Sequence, residues 1–506
     1  MLLNKFHLSF GCVALLILAT ALRLPLLNGS FWLDEAAQVL ESSRPLSQQL
    51  QIRDDFQPPL IHLLVFGLLH ISQSEVFLRT GAALIPALIT IFALISIAKK
   101  YFSVNAGWIS GLFLATSSFH IFYSQELRPY SLPAMFAMLS WWCVLEMTDQ
   151  NAKARKSQLL LWGILNTLGM YSSYLYPFVF LGELLFIGWK WRSSFKKLVG
   201  ALVASSCVSL SIMPWIPSFL LQLSAGQQLR KSFPGWQEVV SFDQFKSIAL
   251  TSGKFLYGVL DLSINPFYII ITTCVVISTI ALGWQLRKNK QLTRLVPVFL
   301  CWVIIPVVVA WLVSFFIPVL QPKRVLFALP ALYLAVGVLI AEAFSNQRHI
   351  RLLGGILFST LLIINFYGSI SYYTKPGLQR ENWRDIHNSI SKKYSTKDAV
   401  VFMAFNDQLA SWKWYNINNF PTVSSGVFVI ADDPDSLGRE RLKRVTDRNF
   451  ILVFEYLTPL TDPHQWIDSD LTRYGFTQVD VIKGNEQLGN VRVYARTRQI
   501  IGYSEY

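Results

Sequence analysis

Long apolar stretches alternate with short polar loops from residue 8 to about residue 370 of this 506-residue chain. A helix that crosses a bilayer needs about 20 predominantly apolar residues. The pattern predicts about eleven such spans, each with soft boundaries because some stretches are short or contain proline. They are residues 8–27, 76–98, 106–123, 131–147, 159–174, 177–189, 198–221, 266–284, 295–317, 325–344 and 352–370.

Lysine and arginine are concentrated in every second loop between these stretches. Short loops rich in these residues face the cytoplasm. The alternation therefore predicts a cytoplasmic N-terminus and an extracytoplasmic location for everything after the last span. The basic loops contain Lys99 and Lys100; Lys153, Arg155 and Lys156; Arg192, Lys196 and Lys197; Arg287, Lys288, Lys290 and Arg294; and Arg348 and Arg351.

Residues 58–72 form an apolar stretch that is too short for an ordinary span. If it crossed the membrane, the charge alternation would break for every later loop. We therefore expect a juxtamembrane or partly inserted helix. Residues 28–75 then become the first outer loop, with short helices predicted at 35–42 and 46–52.

The tail differs in composition, because it is rich in charged and amide residues and its apolar runs are as short as strands. Runs at 399–404, 449–454, 479–482 and 491–495 predict strands, and 383–393 and 436–445 predict helices. The chain is therefore expected to divide into a membrane domain, residues 1–375, and a soluble extracytoplasmic α/β domain, residues 376–506.

Composition agrees with this class of protein. Hydrophobic residues make up 53% of the chain and charged residues 15%, whereas about 25% is usual for soluble proteins. The basic loops explain the net charge of +14, and no basic run is long enough to follow a nucleic-acid backbone. All five cysteines lie in apolar stretches, so we expect neither a disulfide framework nor a cysteine metal site. The first apolar stretch predicts a retained span rather than a cleaved signal.

Two acidic residues, Asp34 and Glu35, directly follow the first span. Carboxylates close to a bilayer are costly unless they face water or a partner. The alternative is a simple helix start, in which Asp34 caps the helix and Glu35 favours its dipole.

Further polar groups lie in the same predicted outer loops. Asp54 and Asp55 precede Gln57 and a Pro-Pro-Leu sequence, which by itself indicates only a loop and a proline-initiated helix. The sequence YSQELRPY, residues 123–130, lies between the third and fourth spans. Its Glu126 shares the outer face with Asp34, although an Arg128–Glu126 pair that closes a turn is the alternative.

Basic residues on the predicted outer face are the exception to the charge rule. Lys323 and Arg324 lie between the ninth and tenth spans, and Arg23 lies near the outer end of the first. A site for an anionic head group explains this placement, because arginine matches phosphate geometry. The alternative is that these side chains reach to the membrane interface, or that Arg23 pairs with an acidic group.

Together these motifs resemble the membrane glycosyltransferases with the GT-C fold, in particular bacterial relatives of protein O-mannosyltransferases and of the lipid A aminoarabinose transferase. The shared features are the acidic pair, the Pro-Pro-Leu helix start, YSQELRPY, and an arginine, Arg324, before FALPAL. The family usually has an aromatic residue where Val325 stands here. The resemblance covers most of residues 1–375, and the tail matches only loosely through residues 381–384 (ENWR).

The resemblance implies an inverting transfer of a sugar from a polyprenyl-phosphate donor to an acceptor hydroxyl on a lipid, glycan or protein in the cell envelope. Asp34 would be the base, and Glu35 and Glu126 would shape the site, orient the acceptor or hold a divalent metal. Donor phosphate would be bound by Arg324, Lys323, Arg128 and Arg23. Substrate would be contacted by Asp55, Gln57, Tyr123, Gln125 and Tyr130.

A metal requirement is left open by the sequence, with Asp34, Glu126 and His62 as candidate ligands. His62 and His70 are eight residues apart, which places them roughly on one helix face. A rival function is transport or flipping of a lipid-linked saccharide in the inner membrane. It predicts broken or charged helices at mid-membrane and a repeat between halves, whereas the polar motifs lie in loops. A third reading, a membrane-anchored assembly subunit, does not explain the acidic loop.

Overall fold

The computed structural model describes residues 10–52, 55–149, 156–233, 243–262 and 265–496. Asp54, Lys153, Arg155 and the first residues of the first predicted span lie outside these ranges. The chain divides into two compact units. Unit 1 is drawn from Met1–Leu27, Pro45–Gln222 and Ser241–Thr374, and unit 2 from Asn28–Arg44, Leu223–Val240 and Lys375–Tyr506.

Helices overlap each of the predicted spans, although the first, 8–27, is helical only over Phe10–Ala21 among the described residues. Among the described residues, six helices are long and apolar enough to cross a membrane: Glu75–Tyr101, Phe195–Ser232, Pro266–Gln285, Lys290–Ser314, Pro322–Phe344 and Arg348–Thr374. The other helices before the tail are Phe10–Ala21, Leu33–Ser42, Leu46–Gln48, Leu60–Leu69, Val104–Thr116, Ser118–Tyr123, Ser131–Thr148, Lys156–Met170, Tyr176–Trp191 and Gln244–Tyr257. The last of these lies in a stretch for which no helix is predicted from the sequence.

Two long helices widen to a π-helical turn just before a proline. These turns are Thr80–Leu84, before Pro86, and Leu300–Ile304, before Pro306. A proline inside a helix lacks an N–H group and its ring collides with the carbonyl four residues back. The wider turn accommodates this collision without ending the helix.

A carboxyl group lies buried among the helices of unit 1. Glu183 has no exposed surface, and its Oε2 accepts hydrogen bonds from Trp162 Nε1 at 2.6 Å and Asn166 Nδ2 at 2.9 Å. Ser140 donates a hydrogen bond to Oε1. These donors satisfy the carboxyl, so they tie three successive helices together without requiring a ligand.

The first outer loop begins and ends at one end of the helices of unit 1. Arg79 Nη1, near the start of the helix that follows the loop, donates a hydrogen bond of 2.8 Å to the carbonyl of Leu27. The 10-residue helix Leu60–Leu69 between them is about 15 Å long, half of a hydrocarbon core. The chain therefore makes no net crossing between Leu27 and Arg79, as the charge alternation predicts. The prediction of a helix at 46–52 is wrong, since this stretch contains only one 3₁₀ turn, Leu46–Gln48.

Segments at three of the basic loops, those after the second, fourth and eighth spans, meet at the opposite end of the helices of unit 1. Lys100 forms an ion pair of 2.9 Å with Glu146 at the end of the fourth span. Gln291, after the eighth span, donates a hydrogen bond of 3.2 Å to the carbonyl of Phe102, after the second. Loops separated by an even number of spans therefore meet, as the alternation requires.

Unit 2 contains a mixed five-stranded sheet with helices. Its strands are β1 Ala399–Met403, β2 Thr422–Ser424, β3 Phe450–Phe454, β4 Phe476–Ile482 and β5 Val491–Arg496, in the order β2-β1-β3-β5-β4. The first three are parallel, whereas β5 runs antiparallel to both β3 and β4. The predicted strands are confirmed, and β2 is an additional one.

Helices and an aliphatic and aromatic core support this sheet. The helices of the tail are Pro376–Leu378, Trp383–Lys393, Ala410–Tyr415, Leu437–Arg444, Thr458–Thr461 and Trp466–Arg473. Buried residues from the strands and the last helices, among them Phe402, Ile451 and Leu471, pack in one cluster. Arg439 binds Asp470 through two hydrogen bonds of 2.7 Å beside this core.

Candidate active site

The acidic pair lies in the first turn of the helix Leu33–Ser42, which we call the loop helix. Trp32 occupies the N-cap position and makes no side-chain cap bond, so the alternative in which Asp34 is the cap is wrong. Asp34 is partly exposed, whereas Glu35 has no exposed surface. The two neighbours therefore occupy different environments, and Asp34 is the one that solvent or a substrate can reach.

Groups from the tail hold the segment that leads into the loop helix, and all of them belong to unit 2. The Phe31 N–H donates to the Tyr415 hydroxyl at 2.6 Å. Arg384 donates from Nη2 to the Asn28 carbonyl at 2.8 Å and from its backbone N–H to Ser30 Oγ at 3.2 Å. The acidic pair is therefore carried by the same compact unit as the sheet.

Glu381 makes the most direct contact with the start of the loop helix. Its Oε2 accepts from the Leu33 N–H at 3.0 Å and from Trp383 Nε1 at 2.6 Å, and its Oε1 accepts from the Tyr456 hydroxyl at 2.7 Å. Burial raises the pKa of Glu381 to about 7, since the hydrogen bonds to Trp383, Tyr456 and Leu33 only partly offset it and the charge of Asp34 raises it further. Burial and the charge of Glu381 also raise the pKa of Tyr456 well above its usual value.

A second polar cluster lies in unit 1, around Asp55. Arg128 donates to both carboxylate oxygens, at 3.1 and 3.2 Å. His62 Nε2 lies 3.4 Å from Oδ2, and Gln57 donates hydrogen bonds to Asp55 and, at 3.1 Å, to His62. The structure thus brings together Asp55, Gln57 and Arg128, three residues predicted to contact substrate or phosphate, and adds His62.

Gln222 supports the backbone of this cluster, a role that the sequence did not indicate. Its side-chain amide donates to the carbonyls of Ile52 and Gln57 at 3.0 and 3.2 Å. Its Oε1 accepts from the Tyr174 hydroxyl at 2.7 Å, and Trp215 Nε1 donates to that hydroxyl at 3.0 Å. A glutamine at the end of an apolar span gives no sequence signal for this contact.

Tyr123, Tyr130 and Lys323, which were predicted to contact substrate or phosphate, form an aromatic and cationic cluster in unit 1. The rings of Tyr123 and Tyr130 meet edge to face, with centroids 5.2 Å apart. Lys323 Nζ lies 5.6 Å from the centre of the Tyr130 ring, within cation–π range. Arg324 is exposed at the start of the segment Pro322–Phe344.

Arg23 and Gln125 connect the ends of several helices through hydrogen bonds. Arg23 is fully buried and donates to the carbonyls of Ala19 and Ala115 at 2.8 and 2.9 Å and to His120 Nδ1 at 2.8 Å. Carbonyls at helix ends favour a cation, so these contacts account for Arg23 without a phosphate or a carboxylate. Gln125 donates to the Arg23 carbonyl at 2.7 Å and accepts from the Tyr372 hydroxyl at 3.0 Å.

The remaining candidates concern a metal site. Glu126 is 1% exposed. His62 is buried in the Asp55 cluster, while His70 is exposed and bonds the Phe66 carbonyl at 2.8 Å, so the two histidines do not form a pair. Within the described ranges, no group of three or more His, Cys, Asp or Glu residues is arranged to hold a metal ion.

Comparisons with known proteins point to one fold. Residues 56–217 match the family model described as dolichyl-phosphate-mannose-protein mannosyltransferase. No curated protein sequence matches the chain significantly. ArnT from Cupriavidus metallidurans in the apo state matches with a TM-score of 0.55 and 12% identity, over 95% of this chain and 96% of that one.

Two further structures agree. ArnT from the same organism bound to undecaprenyl phosphate matches with a TM-score of 0.53 and 13% identity, over 95% of this chain and 97% of that one. The archaeal oligosaccharyltransferase AglB from Archaeoglobus fulgidus, in complex with an inhibitory peptide and a dolichol-phosphate, matches with a TM-score of 0.51 and 11% identity, over 89% of this chain and 69% of that one. These likenesses confirm the predicted fold class, a helical membrane protein with a C-terminal α/β domain.

Proposed function

We propose that this chain, a membrane protein with the GT-C glycosyltransferase fold, transfers a sugar from a polyprenyl-phosphate donor to an acceptor hydroxyl on the extracytoplasmic side of the membrane. The observation that carries the proposal is the environment of the acidic pair. Asp34 is partly exposed in the first turn of a helix whose start is fixed by hydrogen bonds, whereas its neighbour Glu35 is buried. A fixed, accessible carboxylate is what proton abstraction from a hydroxyl needs.

Asp34 acts as the general base in one displacement. The acceptor hydroxyl gives its proton to the Asp34 carboxylate as the acceptor oxygen bonds to the anomeric carbon. The bond between that carbon and the phosphate oxygen breaks, and its electron pair leaves with the polyprenyl phosphate. A single attack from the opposite side inverts the anomeric configuration.

Cationic residues of unit 1 stabilise the charge that develops on the phosphate. Arg324 is exposed and Lys323 is half-buried, and both stand at the start of one helical segment, where they can face a head group at the membrane surface. Arg128 is bound to Asp55 in the structure, so it takes part in phosphate binding only by sharing its charge with that carboxylate. The crystal structure of ArnT with undecaprenyl phosphate supports a donor of this chemical class.

Polar and aromatic groups near these cations bind the sugar and the acceptor. The half-buried Tyr123 ring, which packs edge to face on Tyr130 beside Lys323, offers an aromatic group for the apolar face of a sugar ring. Asp55 and Gln57 supply hydrogen-bonding groups on the same unit. Glu126 and Glu35 are buried, and we assign them to shaping the site rather than to proton transfer.

The proposal is tested by incubating the purified full chain with a panel of radiolabelled polyprenyl-phosphate sugars and membrane extracts. We expect label to move from one donor to a lipid, glycan or protein fraction, with inverted anomeric configuration in the product. Movement of an intact donor across the bilayer without any transfer would overturn the proposal and favour a flippase. Retention of configuration would overturn the single-displacement mechanism.

A further inference from the structure

We propose that the C-terminal domain positions the base of the reaction, and that Glu381 is the positioning residue that fixes the first turn of the loop helix. This inference rests on the proposed function, because it concerns the same carboxylate, Asp34. It gives the soluble domain a part in catalysis, which neither its sequence nor the family match over residues 56–217 assigns to it.

The Glu381 side chain connects three parts of unit 2. It accepts one hydrogen bond from the Leu33 N–H, directly before Asp34, and another from the Tyr456 hydroxyl. Tyr456 comes two residues after the end of β3, at Phe454. The third donor, Trp383, stacks on Phe454 with ring centroids 5.3 Å apart, so Glu381 is itself held against the end of that strand.

The place where the loop helix is anchored is one that α/β sheets commonly use for ligands. In an open parallel sheet, ligands bind beyond the carboxyl ends of the strands where successive connections depart to opposite sides. Strand β1 lies between β2 and β3. The chain that leaves β1 continues to β2 on one side, and the chain that leaves β3 continues to β4 and β5 on the other, so the connections diverge between β1 and β3. Tyr456 follows β3, and Tyr415, which binds the Phe31 N–H, ends the helix that follows β1. Glu381, which accepts from Tyr456, also accepts from the Leu33 N–H, so a segment of the chain itself is bound beyond the end of β3.

The charge state of Glu381 affects both the contact and its neighbour. An ionised carboxylate accepts all three hydrogen bonds, whereas a protonated one carries a proton on one oxygen and one contact must rearrange. The titratable groups that face it are Tyr456, from the segment after β3, and Asp34, from the loop helix. Because the pKa of Glu381 lies at about 7, its charge changes within the pH range in which a transferase is assayed.

The test compares Glu381→Gln with Glu455→Gln in the full chain. Glu455 is the matched control, since it precedes Tyr456 but its Oε2 accepts from the Asn490 N–H at 3.0 Å. We expect Glu381→Gln to lower kcat about 10- to 100-fold, the usual effect of a misplaced catalytic group, with the donor KM unchanged. The pH profile of kcat should lose an ionisation near pH 7 in Glu381→Gln and keep it in Glu455→Gln. Wild-type kcat and an unchanged profile in Glu381→Gln would overturn the inference.

A second measurement is independent of catalysis. Hydrogen exchange at the amides of residues 33–36 should be faster in Glu381→Gln than in wild type and unchanged in Glu455→Gln. Equal exchange in all three proteins would overturn the positioning role. If exchange is faster in Glu381→Gln but Asp34→Asn keeps full activity, Glu381 still positions the loop helix and Asp34 is not the base. The failure of this inference and the failure of the proposed function are therefore distinguishable.

Discussion

Asp34 and Glu35 show what a single sequence can and cannot say about individual residues. Both are recognisable as acidic groups in a predicted outer loop, but burial separates them, because only Glu35 is fully enclosed. That difference depends on which face of the loop helix packs, and the groups that hold the start of this helix lie hundreds of positions away, at Glu381 and Tyr415. Arg23 illustrates the converse, since its charge suggested a phosphate or an acidic partner and the structure shows contacts with carbonyls and the His120 ring.

The Asp55–Arg128 pair should be strongly coupled, because both side chains are almost enclosed, with 10% and 13% of their surfaces exposed. Removing one partner of such a pair leaves a buried charge and costs about 3–5 kcal/mol. We expect Arg128→Met and Asp55→Asn each to lower the thermal unfolding midpoint in detergent. The double variant should lose much less than the sum, whereas additive losses would show that the pair contributes no coupling.

Glu381 should make stability depend on pH. Its pKa is raised from 4.5 to about 7 in the folded chain, so the folded state binds more protons than the unfolded state between these values. The free energy of unfolding therefore falls as pH rises from about 4.5 to about 7 and levels off above, with a total loss of about 3 kcal/mol from this group.

The check is the unfolding midpoint of wild type and Glu381→Gln measured at intervals from pH 4.5 to pH 8. Wild type should lose stability relative to the variant as the pH rises through this window. Parallel curves would contradict the raised pKa of Glu381.

At the scale of elements, apolar length was sufficient to locate the long apolar helices of unit 1, but not the shorter segments of either unit. The spans are predictable because lipid forces every backbone group to bond within its own helix. The helix Gln244–Tyr257 and the strand β2 were missed because neither has a long apolar run. Residues 46–52 show the opposite error, since a helical pattern there yields only one 3₁₀ turn.

Close helix packing gives a prediction at this scale. A Cβ atom on Gly182 would lie 1.9 Å from the carbonyl oxygen of Cys301, in the π-helical turn, whereas one on Gly188 of the same helix would meet nothing within 4 Å. We expect Gly182→Ala to lower the unfolding midpoint clearly and the control Gly188→Ala to leave it unchanged or slightly raised, since alanine favours helices over glycine by about 1 kcal/mol. Equal effects of the two changes would contradict the described packing of these helices.

At the scale of the whole molecule, the return of the first outer loop to its starting end was accessible from the sequence, whereas the grouping of segments into units was not. The Leu27–Arg79 contact agrees with the predicted return of the first outer loop. The boundary between the units at Thr374 and Lys375 coincides with the change of composition in the sequence. Asn28–Arg44, however, groups with the tail in unit 2. No local sequence pattern in Asn28–Arg44 indicates its contacts with residues of the tail.

The topology makes a direct prediction for single-cysteine variants in a background in which the five natural cysteines are replaced. Cysteines at the exposed positions Gln48 and Lys397 should react with an impermeant thiol reagent added from outside the cell. Cysteines at the exposed positions Arg192 and Lys288 should react only after the membrane is opened. Labelling of Gln48 and Lys288 from the same side would contradict the charge alternation.

The most direct test of the central claim is the initial rate of sugar transfer by Asp34→Asn, with Asp435→Asn as the control at an exposed aspartate of unit 2. The change removes the proton acceptor and preserves the shape of the side chain. We predict a loss of at least about 10²-fold in transfer for Asp34→Asn, with wild-type folding and donor binding, and no loss for Asp435→Asn. Transfer by Asp34→Asn at the wild-type rate would contradict the assignment of Asp34 as the base.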